Sequence, residues 1–213
     1  MRIVTMCALA LSLAATAAAQ PPDETPSLSI RPLVFGSEQA FAAANTFDAV
    51  FGESRQPFFG GGIQVVLDGR IFVEADASRF KKTGERAFRS GGQNFRLGLP
   101  LTAEIRPLEI TAGYRFHFAG MPRVIPYAAG GFGSYGYTET SPSSDPSENV
   151  DVRHSGVVLY GGAEFRLHRW IGVAAEVQYT HIPGILGSGG ISLAAGEDDL
   201  GGVVGRVKFV VGR

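Results

Sequence analysis

Outside its first 19 residues this 213-residue chain has no cysteine, since the only one is Cys7. That excludes disulfide staples and thiolate metal sites from the body of the protein. Beyond the same N-terminal stretch, no apolar run reaches the ~20 residues a helix needs to cross a bilayer. There is no excess of basic side chains either: 19 Lys and Arg stand against 20 Asp and Glu, so nucleic-acid binding is set aside. Charged residues make up only 18% of the chain, little for a surface facing water on all sides. Glycine, by contrast, is plentiful. Most of the 29 glycines fall inside apolar runs, where a soluble sheet would be weakened by them.

The N-terminus reads as an export signal. Met1-Arg2 carries one positive charge, Ile3 to Ala15 is apolar, and Ala17-Ala18-Ala19 offers a small-residue cleavage site. Residues 1–19 are therefore expected to be a signal peptide, 20–27 a short Pro-rich lead-in, and 28–213 one domain. Cys7 follows Thr5-Met6 inside this leader, which is no lipobox. Removing Arg2 leaves 18 basic against 20 acidic side chains, a charge of −2.

The most informative stretch is Arg153 to Ile182. Val157, Leu159, Gly161, Ala163, Phe165 and Leu167 alternate with Val158, Tyr160, Gly162, Glu164, Arg166 and His168. After Arg169-Trp170, Ile171, Val173, Ala175, Val177 and Tyr179 alternate with Gly172, Ala174, Glu176, Gln178 and Thr180. A period of two means strands, because successive side chains leave a strand on opposite faces. Both runs pass ten residues, enough for a tilted strand to cross a bilayer, and one face of each is apolar throughout.

The same pattern recurs from Leu28 to Gly36, Phe58 to Leu67, Arg70 to Ser78, Leu97 to Phe118, Val124 to Thr138 and Leu200 to Gly212. Asp68-Gly69 is a strong two-residue hairpin signal. Short turns there, at 119–123 and at His168-Arg169 alternate with longer polar connections at 37–57, 81–94, 139–152 and 183–199. Thr46 in the first of these is placed to cap a helical turn carrying Phe47, Val50 and Phe51. Within 97–118 the apolar parity changes at Arg106-Pro107, which is read as a bulge in one long strand because a turn would break the alternation of connections. The expectation is an all-β, eight-stranded antiparallel up-and-down transmembrane β-barrel with short periplasmic turns and long extracellular loops.

The leader, FFGGGIQVVLDGRIFVEADASRF, ITAGYRFHF, RVIPYAAGGFGSYGY and RLHRWIGVAAEVQY together resemble the small eight-stranded bacterial outer-membrane barrels, the family that includes the OmpA transmembrane domain, OmpX-like and opacity-type proteins. The resemblance implies an outer-membrane location, contact with outer-membrane lipid, and a monomer.

If the apolar parity faces lipid, the opposite parity brings Glu74, Asp76, Glu109, Arg115, Glu164, Arg166, Glu176, Arg206 and Lys208 into the lumen, with His117, His168 and Gln178. An eight-stranded lumen holds little beyond its own side chains, so these groups are expected to pair into a structural plug. Phe59, Tyr127, Trp170 and Tyr179, with Phe58, Tyr135 and Tyr137, are expected in interfacial girdles. No catalytic, cofactor or metal site is expected. His154 and Ser155 are adjacent, so on a strand they face opposite ways. The other histidine candidate, His181, lies near Ser188, and the acids Asp145, Glu148 and Asp151 or Glu197-Asp198-Asp199 match no EF-hand. The favoured role is a non-enzymatic envelope protein, structural or meeting a surface partner through its loops. The alternatives are a soluble barrel holding an apolar ligand, as lipocalin-like proteins do, and a lipid-modifying enzyme using His154 or His181.

Overall fold

The computed structural model describes residues 27–142 and 149–213, so the leader, most of the lead-in, Asp145 and Glu148 lie outside the described residues. Eight antiparallel strands follow one another around a closed barrel: β1 (Leu28–Phe41), β2 (Arg55–Leu67), β3 (Ile71–Ser90), β4 (Gln93–Arg115), β5 (Val124–Thr140), β6 (Val150–His168), β7 (Ile171–His181) and β8 (Gly202–Val211). β8 pairs back onto β1, which leaves no open sheet edge. Two short helices stand at one end: α1 (Ala44–Phe51) between β1 and β2, and α2 (Gly190–Ala195) between β7 and β8. α1 carries Phe47, Val50 and Phe51 as expected, but it starts two residues before Thr46, which lies in its first turn rather than at its cap.

The apolar parity faces outward. Val157, Phe165 and Val177 are exposed, while Glu164, Glu176 and Arg206 are buried inside the ring. This is the arrangement lipid demands, with the strands paired all round the closed sheet. A soluble barrel would bury the first set and expose the second.

The barrel is more regular than its sequence suggests. No bulge occurs at Arg106-Pro107: β4 pairs with β5 without a break, Arg106 opposite Gly136 and Pro107 opposite Tyr135. Its register with β3 is the same on both sides, from Ala77↔Leu108 to Phe80↔Ile105. What changes there is the surroundings. Below Pro107 the inward positions are Glu109, Thr111 and Arg115 and the outward ones Leu108 and Ile110; above it Leu101, Ala103 and Ile105 point inward and Arg106 outward. The strand leaves the hydrocarbon, and the solvent preference of its two faces is exchanged. Register shifts fall instead between Glu85 and Ala87 and between Arg166 and His168.

Three expected loops are partly strand. β1 continues to Phe41, β3 and β4 pair through Ser90↔Gln93 around Gly91-Gly92, and β5 and β6 pair out to Glu139↔Val150. β3 has 20 residues and β4 has 23 residues. Both far exceed the ~10 that cross a bilayer, so their hairpin projects beyond it. At the opposite end Asp68 and Gly69 both have positive φ, 48° and 68°, as a tight hairpin turn requires.

Candidate functional site

Two layers fill the barrel, and each follows from which residues share the inward parity. The layer nearer the short turns is ionic. Glu74, Asp76, Glu109, Glu164 and Glu176 are buried there with Arg31, Arg115, Arg206 and Lys208.

Most of their contacts run across the lumen, while those to Glu176 join the neighbouring strands β7 and β8. From β8, Arg206 donates through Nη1 to Asp76 Oδ2 on β3 at 3.1 Å and through Nη2 to Glu109 Oε2 on β4 at 3.3 Å. Lys208, also on β8, pairs with Glu74 on β3 and with Glu176 Oε1 on β7 at 2.7 Å. Arg31 on β1 grips Glu164 on β6 in a two-pronged contact of 2.6 and 2.9 Å, and Arg115 on β4 donates to the same carboxylate at 2.9 Å. Forked guanidinium–carboxylate pairs of this kind are short and directional.

Neutral groups link the ion pairs. Gln64 accepts from Arg31 and donates to Glu74, both at 2.8 Å. Tyr127 donates to Glu176, Tyr135 to Glu109 and Tyr160 to Glu74 at 2.8, 2.8 and 3.2 Å, and Gln178 donates to Glu109 at 3.1 Å. The cations also lie over rings. The Arg206 guanidinium is 4.2 Å from the Phe35 ring centre and Lys208 5.0 Å from that of Tyr160. Glycine makes room for these long side chains. A Cβ on Gly62 would collide with Asp76 Oδ1.

The structure thus brings together eight of the nine charged residues expected in the lumen. The ninth, Arg166, shares their parity but sits near the short-turn end, partly exposed, 3.9 Å from Glu164. His117 and His168 lie at strand ends and are exposed, outside the network. Arg31, Gln64, Thr111 and Tyr160 belong to it and were not anticipated. Arg31 and Gln64 carried the signal, being polar residues on the inward parity of β1 and β2.

The aromatic assignments need correction. Tyr127 faces the lumen, with Tyr135, Tyr137 and Phe58, and all four are buried. On β5 the inward parity runs Ile125, Tyr127, Tyr135 and Tyr137, and the phenols of Tyr127 and Tyr135 serve carboxylates no lipid-facing group reaches. Phe59 and Tyr179 do face outward, and Trp170 lies half-buried in the β6–β7 turn.

The second layer, toward the long connections, is apolar. Phe47 of α1 stacks on Phe41 at 3.7 Å, and both pack with Phe58, Phe80, Ile105, Ile182, Ile185 and Leu200. Glu197 holds this layer's cover in place. Its carboxylate accepts from the backbone N of Asn45 (2.9 Å) and of Thr46 (2.8 Å), and from the Thr46 hydroxyl (2.6 Å). An anion at a helix N-terminus meets unpaired N–H groups and the positive end of the dipole. Burial alone would push the Glu197 carboxyl up, but the bonds from Thr46 and Asn45 outweigh it and hold it below the usual carboxylate range. Arg96 of β4 donates to the carbonyl of Ala49 in α1 at 3.1 Å. Asp199 accepts from the backbone N of Ile182 and Gly201, each at 2.7 Å, and meets His181 Nδ1 at 2.6 Å. Two acids of the Glu197-Asp198-Asp199 run therefore fasten loops.

Among the described residues no group of three or more His, Cys, Asp or Glu is placed to hold a metal ion. The two histidines weighed as nucleophile partners are placed otherwise: His181 meets Asp199, and Ser155 points outward beside the inward His154.

A closed eight-stranded ring, apolar outside and ionic within, defines a small transmembrane β-barrel. The model of the outer membrane protein beta-barrel domain matches residues 5–202, and the chain belongs to that family of bacterial outer-membrane proteins. Its fold is similar to that of the outer membrane protein OprG from Pseudomonas aeruginosa (13% identity, 89% of this chain and 97% of that one, TM-score 0.55). It is also similar to Neisserial surface protein A (10%, 88% and 96%, 0.50) and to Ail, the attachment invasion locus protein of Yersinia pestis (13%, 88% and 98%, 0.50). No curated protein matches the sequence.

Proposed function

We propose that this is a non-enzymatic outer-membrane protein whose lumen is closed by its own side chains and whose function lies in the folded extracellular face. The observation that carries the reading is the pair of β8 cations, Arg206 and Lys208, reaching across to acids on β3 and β4. Bonds that span an eight-stranded lumen leave no continuous water path, and breaking them exposes unpaired buried charge. The apolar layer and its loop cover close the same passage a second time. The loops, with α1 tied to the β7–β8 connection by Glu197 and to β4 by Arg96, and that connection fastened on itself by Asp199, form a preorganised surface suited to a partner outside the cell. In this reading residues 1–19 are removed on export, and the barrel acts as a monomer in outer-membrane lipid.

The test is electrical. Refolded protein in planar bilayers is expected to give no steady conductance, whereas Arg206→Ala combined with Lys208→Ala opens a measurable leak. Stable unitary steps from the unaltered protein would overturn the closed-lumen reading. Cysteines placed at Gly91 and Ser188 are expected to react with a membrane-impermeant maleimide on intact cells, and one at Gly69 is not.

A further inference from the structure

The outer wall carries a charged feature that the lumen does not explain. Following the strand register around the barrel, Phe59 lies opposite Arg79, and Arg106 opposite Gly136, which in turn faces Arg153. The unbroken β3–β4 register from Ala77↔Leu108 to Phe80↔Ile105 sets Arg79 beside Arg106. One level thus presents three arginines in a row on the outward parity, next to an exposed phenylalanine. Two dyad steps down, the corresponding row is Ala75, Ile110, Phe132 and Val157, apolar and outward. The arginines therefore stand where hydrocarbon gives way to headgroups, on the side of the long connections.

Their local chemistry suits an anion. Arg79 and Arg106, with side chains 61% and 53% exposed, approach the single carboxylate of Glu104 through Nε at 3.0 and 3.6 Å, and Lys81 meets it at 3.7 Å. Three cations share one acid. Gly136 keeps the strip between Arg106 and Arg153 clear: a Cβ there would lie 3.4 Å from Arg153 Nη2 and 3.8 Å from Arg106 Cβ. Arg153 donates to the Ser134 hydroxyl at 3.2 Å, and Asp151 is the second acid on this face. Four cations against two carboxylates leave an excess positive charge. Guanidinium forks pair with phosphate in two-pronged fashion, and apolar rows beneath would lie along acyl chains.

We propose that the outward face of β3–β6 binds the phosphorylated headgroup of an outer-leaflet glycolipid, with Arg79, Arg106 and Arg153 as phosphate ligands. The proposal rests on the outer-membrane location and on the long connections facing outward, and is independent of whether the lumen conducts.

The test uses the refolded full-length barrel in phosphatidylcholine vesicles doped with diphosphoryl lipid A or with the same lipid dephosphorylated, bound lipid being counted by native mass spectrometry after extraction. The unaltered protein is expected to retain the phosphorylated form at least about tenfold over the dephosphorylated one, more weakly at high salt. Substituting Arg79→Gln, Arg106→Gln and Arg153→Gln together removes that preference, while Arg169→Gln at the opposite end leaves it unchanged. Millimolar inorganic phosphate is expected not to displace the lipid. Equal retention of both lipids by the unaltered protein would overturn the assignment without recourse to any variant. So would a triple variant that still shows the heat-modifiable mobility of a folded barrel and keeps the preference, or displacement by free phosphate.

Discussion

Around Arg31, Glu74 and Glu109 the inside of this barrel is ionic; around Phe47, Phe80 and Ile105 it is a packed apolar core. The same strands build both layers. β4 supplies Glu109 and Arg115 to the first and Leu101, Ala103 and Ile105 to the second, on one unbroken parity. The outside changes in the opposite sense, from Leu108 and Ile110 to Arg106. Where the wall touches lipid, apolar side chains gain nothing by turning inward, and polar ones must find partners inside. Where it touches water, the ordinary hydrophobic effect returns and the lumen becomes a soluble-type core.

The contrast breaks most sharply in the ionic layer. Arg206→Met leaves Asp76 and Glu109 buried beside each other without their cation. Stranded charges of this kind cost about 3–5 kcal/mol. Urea unfolding in vesicles, followed by the fluorescence of Trp170, the only tryptophan, measures it. Adding Asp76→Asn and Glu109→Gln is expected to recover most of the loss, because the damage is the unpaired charge rather than the missing contact. A single-variant cost below about 1 kcal/mol would mean that the pairs are not coupled.

In the apolar layer, Phe47→Ala removes the ring stacked on Phe41 and leaves a cavity under α1. The expected cost is about 3 kcal/mol. It falls on the cover alone, so protease cuts the loops sooner while the heat-modifiable band of the barrel stays. Loss of both together would show that the two layers fold as one unit.

The level at which the faces exchange is tested by moving charge across it. Ile110→Lys places an ammonium on the lipid side and is expected to cost about 2 kcal/mol, whereas Arg106→Leu, two dyad steps higher, changes stability by less than about 0.5 kcal/mol. Similar values for both would move the boundary.

Alternation carried the fold in the sequence, because a two-sided environment writes a period of two along every crossing strand. The lumen charges were legible for the same reason. Three things were not. The exchange at Arg106-Pro107 reads as a backbone irregularity, since parity records the surroundings of each face and those reverse where the strand leaves lipid. Tyr127 reads as a girdle residue, because aromatic type and nearness to a strand end say nothing of which way the ring points. The cover of the second layer is unreadable from spacing, because Glu197 and the Thr46 it holds in α1 are separated by 151 residues.

That contact gives the smallest loss expected within either layer and the cleanest separation of the two. Glu197→Gln weakens the anion at the N-terminus of α1 and is expected to cost about 1 kcal/mol. The carboxyl is held below its ordinary value near 4.5 by Thr46 and Asn45. A depressed carboxylate stabilises the fold fully above that ordinary value and loses its contribution as pH falls through the folded-state value. Amide exchange in α1 should therefore quicken below about pH 4.5 in the unaltered protein, relative to Glu197→Gln, in which this contribution is already absent. Exchange in β8, held by the lumen pairs, should not differ between the two proteins over the same interval. If β8 exchange responded to Glu197→Gln as α1 does, the loop cover and the ionic lumen would be one cooperative structure.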